Sequence, residues 1–96
     1  MFELRFYTTE GCHLCEQALT IIREVHAANP LIAKVIQLKL IDIADEDVLI
    51  EAYGNRIPVV AIGGQDKGKQ NNAAELNWPF HHQEYIDLLN REFSQA

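Results

Sequence analysis

A chain of 96 residues with 48% apolar and 23% charged residues is one domain with a single modest core, neither disordered nor membrane-embedded. Eight basic against fourteen acidic residues leave a net charge of -6, a field that repels nucleic acid and anionic lipid and excludes both as partners. Met1 runs directly into "FELRF" with no basic n-region or apolar h-region, and no stretch is long enough for a bilayer, so a cytoplasmic location is expected.

Phe2, Leu4 and Phe6 alternate with Glu3 and Arg5, a period of two that predicts a first strand. From Leu14 the period changes: Leu14, Ala18, Ile22 and Val25 line one face of a helix that Asn29-Pro30 stops. His26 follows Leu19 and Ile22 on that helix, so partial burial is its expected state. "KVIQLKLIDI" predicts a second strand, with Ile36, Leu38 and Leu40 alternating against Gln37 and Lys39. A helical connection makes its pairing with the first strand parallel. Asp45 is placed to cap a short helix with Glu46 and Asp47 in its first turn, Leu49, Ile50 and Tyr53 on its buried face, and Gly54 at its end. "IPVVAI" is a continuous apolar run suited to a buried third strand, and "GGQDKGKQNN" is a loop. A short fourth strand near Ala73 to Leu76 closes a hairpin with it. Pro79 suits the first position of a last helix whose stripe is Tyr85, Ile86, Leu89 and Phe93. The expectation is one α/β domain over residues 1–96, with a single sheet and helices on both faces.

The only thiols, Cys12 and Cys15, stand two residues apart where the first strand gives way to the first helix. In a reducing compartment structural disulfides are rare, which leaves redox chemistry, metal binding or coincidence. At a helix N-terminus, unpaired N–H groups and the positive end of the dipole stabilise a thiolate, so Cys12 is the expected nucleophile. Cys15, one turn along, is placed to attack a mixed disulfide on Cys12 and release the product. A C-x-x-C beside a βαβ pattern is the mark of a thioredoxin-like redox motif. Gly11 permits a tight strand-to-helix turn or is an ordinary loop residue. His13, between the thiols, either assists the Cys12 thiolate or is an exposed helix-start residue, while Glu10 and Glu16 oppose thiol ionisation. Three other readings stand beside this one: two core cysteines, a zinc site, and an iron–sulfur cluster bridged between chains. Each metal reading needs ligands that one chain does not supply, because His26, His81 and His82 lie far along the sequence.

Over nearly its full length the chain resembles the glutaredoxin-like members of the thioredoxin superfamily, above all a branch with "GCHLC" near the start and "WPF" before the last helix. "RIPVV" is the second match. The resemblance implies a thioredoxin-like β-α-β-α-β-β-α fold around a four-stranded mixed sheet of order 2-1-3-4, the first two strands parallel and the hairpin antiparallel. Covering both faces of a central first strand conflicts with Glu3 and Arg5 on one of them, so that face is expected to be open near its beginning. The resemblance also implies a cis Ile57–Pro58 bond facing the cysteines, with the backbone of Ile57 presented to an extended peptide or glutathione as an added strand. Pro58 alone reads equally as a strand-entry proline. Arg56 beside it either favours a thiolate or a substrate carboxylate, or is a plain loop residue.

The activity implied is that of a monomeric thiol–disulfide oxidoreductase with no bound cofactor and no metal, acting on a disulfide-containing protein or on glutathione as co-substrate. The alternative is a non-catalytic binding or redox-sensing module of the same fold. Two departures weigh against glutathione. Thr9 and Glu10 stand where glutathione-using members carry a basic residue, and "LNWPF" replaces their Gly-Gly and Asp at the start of the final helix. Gly63-Gly64 falls too early for that element and reads as the hairpin turn. Trp78 and Phe80 either cover the core edge or form an apolar wall for a protein substrate.

Overall fold

Alternation along "FELRFYT" makes β1 (Phe2–Thr8) a two-faced strand: Leu4 and Phe6 enter one apolar cluster and Tyr7 enters another on the opposite side. The computed structural model describes residues 2–62 and 74–94. After β1 come α1 (His13–Ala28), α2 (Pro30–Val35), β2 (Ile36–Asp42), a 3-10 turn (Ile43–Asp45), α3 (Asp47–Tyr53), β3 (Val59–Ile62), β4 (Ala74–Asn77) and α4 (His82–Ser94). The proposed Gly63-Gly64 turn, the Ala73 start of the fourth strand and the Phe93 side chain lie outside the described residues.

The sheet order is β2-β1-β3-β4, with β1 parallel to β2 and antiparallel to β3, and β3 antiparallel to β4. Leu4, Phe6, Val60 and Ile62 pack against Ala18, Ile22 and Val25 of α1 and Tyr85, Leu88 and Leu89 of α4. The second face carries Tyr7, Val59 and Ala61 under Ile43 and Tyr53, so helices do cover both faces. That cover is partial. Toward the start of β1, Glu3 meets Arg5 at 3.9 Å and Lys39 at 3.8 Å, and the Glu3 and Lys39 side chains reach solvent. The charged residues of β1 therefore sit where the second layer ends.

Four local expectations change. Leu14 is 46% exposed and Cys15 takes its place on the buried stripe of α1, because the helix starts at His13 and turns its third residue inward. Asn29-Pro30 does end α1, with Asn29 Nδ2 donating to the Val25 carbonyl at 2.9 Å, but Pro30 also opens α2, since a proline without an N–H suits a first helical position. Asp45 does not cap α3: it lies in the 3-10 turn, which Asp42 caps by accepting the Ala44 N–H on Oδ1 at 2.9 Å, and α3 starts at Asp47 after Glu46, which makes no side-chain cap bond, with Ile50 exposed. Pro79 lies before α4 in a cis peptide with Trp78, and the helix begins at His82.

The start of α4 is set by side chains. Glu84 accepts the backbone N–H of His81 at 2.8 Å, one half of a capping box, while the His81 carbonyl accepts from the Tyr85 N–H at 3.3 Å. Phe80 before the cap and Tyr85 beyond it are buried in one cluster, at the spacing of a hydrophobic staple. Phe80 thus belongs to the core, and Trp78 packs half-buried against it with rings 5.3 Å apart, edge to face.

Candidate active site

β1 ends at Thr8, and the chain must turn back before α1 can pack across the sheet. Gly11 makes that turn with φ +80°, a left-handed conformation that glycine reaches without steric cost. Cys12 follows as the N-cap of α1. Its carbonyl accepts the Glu16 N–H at 3.2 Å, and its Sγ accepts the Cys15 N–H at 3.1 Å. A sulfur is here doing what a serine or aspartate oxygen does at most helix starts, and it takes up one of the four N–H groups the first turn leaves unpaired.

Cys12 and Cys15 are joined as a disulfide, with Cα atoms 5.2 Å apart. The two sulfurs are not equivalent. Cys15 belongs to the core cluster and is 3% exposed, whereas Cys12 only packs against that cluster and keeps access to solvent. An open groove of about 230 Å³ runs beside the bond, with Phe6, Leu19 and Leu40 as its apolar wall and Thr8, Thr9, Glu10 and Glu16 as its polar one. A larger cleft of about 530 Å³ between β4 and α4 is lined by Leu76, Glu84, Asp87 and Arg91 and shares no residue with this groove.

The residues singled out from sequence separate into three groups. Ile57 and Pro58 are joined by a cis bond just before β3, and the pairing of Tyr7 with Val59 puts Pro58 at the end of the sheet from which the cysteine loop leaves. Ile57 packs against both apolar clusters, and its N–H donates to the Tyr53 carbonyl at 3.1 Å. His13 stays at the surface, its side chain 91% exposed and its Nδ1 3.8 Å from Glu16. Arg56 turns away to β4: Nη1 contacts Glu75 at 3.2 Å, Nε donates to the Ala52 carbonyl at 3.1 Å, and the guanidinium lies over the Tyr53 ring. Its partner is a protein carboxylate, which ties the segment before β3 to β4.

Several residues here carry no obvious sequence signal. Leu19 and Leu40 read as ordinary core positions, yet Leu40 ends 52% exposed because β2 is an edge strand. Its membership of an edge was the one signal that could have found it. Glu75 joins two elements by also accepting the Tyr53 hydroxyl at 3.2 Å, and Tyr53 stacks on Tyr7 at 4.1 Å. Burial first, then Tyr7 and Glu75, push the Tyr53 phenol well above its ordinary value. Behind the site, His26 Nε2 and the Tyr85 hydroxyl share a hydrogen bond of 2.7 Å between α1 and α4; burial lowers the His26 pKa and raises that of Tyr85.

Comparison with known proteins agrees with this architecture. The glutaredoxin-like domain family (DUF836) matches residues 3–90. No curated protein matches the sequence significantly. Among solved structures, a structural-genomics target protein, XcR50 from X. campestris, is 27% identical with a TM-score of 0.65, covering 92% of this chain and 96% of that one. Thioredoxin 1 from Thermosipho africanus is 18% identical with a TM-score of 0.62, covering 98% and 99%. Thioredoxin O2 from Arabidopsis thaliana, in its oxidised state, is 18% identical with a TM-score of 0.59, covering 95% and 74%. The likeness to both thioredoxins is one of fold. A close cysteine pair in that fold fits redox chemistry, and the match across almost the whole sequence shows that the chain belongs to the glutaredoxin-like domain family.

Proposed function

We propose that this protein is a thiol–disulfide oxidoreductase that reduces disulfides of other molecules through the Cys12–Cys15 pair. The observation that carries the reading is the asymmetry of the pair: one sulfur is solvent-accessible, caps the helix and accepts an N–H, and the other is buried one turn behind it. The accessible sulfur is the one a substrate can meet. Its N–H partner and the positive end of the α1 dipole favour the thiolate over the thiol.

In the reduced protein, the Cys12 thiolate forms a bond to one substrate sulfur while the substrate S–S bond breaks and the other sulfur leaves as a thiolate, taking a proton from solvent. The Cys15 thiol then loses its proton to solvent and attacks Cys12 Sγ. That forms the internal disulfide and releases the second substrate thiolate. Both electrons gained by the substrate come from the dithiol, whose product is the bonded pair seen here. An external thiol reductant restores the dithiol by the reverse exchange. Pro58, at the same end of the sheet, leaves the Ile57 carbonyl, its N–H being donated to Tyr53, as the group with which an extended substrate pairs. The chain works as a cytoplasmic monomer without a bound cofactor, and glutathione enters, if at all, as a co-substrate.

The test is intact mass after equilibration in a series of glutathione redox buffers with acid trapping, on the native chain, Cys12→Ser and Cys15→Ser. The expected result is loss of two hydrogens in one transition between roughly -270 and -180 mV, the span of known dithiol oxidoreductases. Mixed disulfides should form on Cys12 alone when Cys15 is absent. No internal disulfide anywhere in the series would sink the reading in favour of a binding module or a metal site.

A further inference from the structure

Charge and shape beside the disulfide bear on which substrates reach it. We infer that the groove selects extended protein segments in which the reacting cysteine is flanked by lysine or arginine and an aliphatic residue, and that it disfavours anionic disulfides such as oxidised glutathione. This rests on the dithiol reading above and adds a substrate class to it. The groove contains the electrophilic bond itself, so a ligand lying in it is already positioned at the sulfurs. Its apolar wall ends in Leu40, half-exposed on an edge strand where an aliphatic side chain would cover it.

The polar wall is acidic. Glu10 is exposed next to Gly11, and Glu16 stands one residue beyond Cys15 with its side chain 80% exposed. Among the described residues lining the groove there is no lysine or arginine. Of the nearby basic groups, Arg56 is taken by Glu75, and His13, with Nδ1 3.8 Å from Glu16, can answer only one of the two carboxylates and only when protonated. Glutathione brings two carboxylates and one ammonium to such a wall. A segment with a cation on each side of its cysteine meets one carboxylate with each.

The test uses the reduced protein and three disulfide-linked peptide dimers, Lys-Leu-Cys-Lys, Gln-Leu-Cys-Gln and Glu-Leu-Cys-Glu, with oxidised glutathione as a fourth substrate. Each rate is divided by that of dithiothreitol on the same peptide, because flanking cations also make a cysteine a better leaving group. One exposed ion pair is worth a factor of about 1.4 to 5, so two give a lysine-over-glutamate preference of about tenfold at low salt. High salt should shrink it, since exposed charges are screened. Glu10→Gln combined with Glu16→Gln should bring the preference below about threefold, while Asp45→Asn with Glu51→Gln, which removes the same net charge on the α3 side, should leave it in place. Equal normalised rates for the three peptides would overturn the inference and leave the dithiol reading standing. So would an equal loss of preference in the two double variants, which would assign the effect to net charge. A reduced protein that turns over none of the four substrates overturns both.

Discussion

Replacing Gly11 with alanine should destabilise the oxidised protein by about 1 kcal/mol, and replacing it with asparagine should cost only a few tenths. Gly11 has φ +80° and nothing within 4 Å of the position a Cβ would take, so no clash contributes. An L-residue in that conformation costs about 1–2 kcal/mol, from which the reduced freedom of the unfolded chain returns about 0.4–1 kcal/mol. Asparagine visits the left-handed region readily and escapes most of the penalty.

Gly54 is the counter-case, because it also ends an element but has an ordinary helical φ of -53°. A Cβ there would lie 2.5 Å from the Ile50 carbonyl oxygen, a steric overlap, and that oxygen is held in place by accepting the Gly54 N–H at 2.8 Å. Any side chain must therefore displace backbone, at about 1–3 kcal/mol, and asparagine should fare no better than alanine. For a domain of this size each kcal/mol moves Tm by roughly 4–8 °C, well within the reach of thermal unfolding followed by circular dichroism. Equal Tm values for Gly11→Ala and Gly11→Asn, or rescue by asparagine at position 54, would refute the distinction between a conformational and a steric glycine.

Burial holds the pKa of His26 in the folded chain below the ordinary value of 6.5, so the unfolded chain binds its proton more readily. Stability from this group is complete above 6.5 and falls as pH drops through 6.5 toward the folded value; Tm should decline between pH 7.5 and 5.5 by more in the native chain than in His26→Gln, and parallel declines would remove His26 as the cause. Phe80→Ala empties a fully buried site at the α4 staple and should cost about 3–5 kcal/mol in urea unfolding; a loss under about 1 kcal/mol would mean that the site does not close as described. Glu75→Ala removes the carboxylate that both Arg56 and Tyr53 contact and should cost about 1–2 kcal/mol, since a half-exposed ion pair gives little and one hydrogen bond about 1 kcal/mol. In a double-mutant cycle, Glu75→Ala and Tyr53→Phe should be non-additive, and strict additivity would deny the contact.

What could be read from the sequence follows the range of the forces involved. The strands were legible because β1 alternates near its start, where the cover of its second face ends at Glu3 and Arg5, and β3 is uniformly apolar under cover on both faces. α2 was not, because a proline that ends one helix is chemically the same as a proline that begins the next. Arg56 offered no clue to its partner: Glu75 lies nineteen positions on and arrives only through the pairing of β3 with β4. Local preference puts Pro79 at the first helical position for a related reason: it does not weigh the burial of Phe80 and the Glu84 side-chain cap, which set the helix start at His82.

The misplacement of Leu14 bears most directly on function. A stripe of Leu14, Ala18, Ile22 and Val25 is a valid helical face, and it makes Cys15 a neighbour of the core. The stripe that forms contains Cys15 itself, at the third position of a helix capped by Cys12. An N-cap residue stands outside the helix at the sheet end, while its third successor lies one turn along on nearly the same face, close enough to bond but set against the core. The two thiols therefore differ in depth rather than in direction: Cys12 reaches solvent and is offered an N–H, and Cys15 is buried behind it. The different roles proposed for Cys12 and Cys15 follow from where α1 begins, and Gly11 fixes that point by turning the chain with a positive φ. A substitution that shifted the start of α1 by one residue would move both sulfurs at once, which is why the glycine substitutions above should be paired with a measurement of how fast Cys12 is alkylated in the reduced protein. Gly11→Ala should slow that alkylation along with its loss of stability, whereas Gly54→Ala should lower Tm and leave it unchanged; equal slowing in both would separate Gly11 from the chemistry of the site.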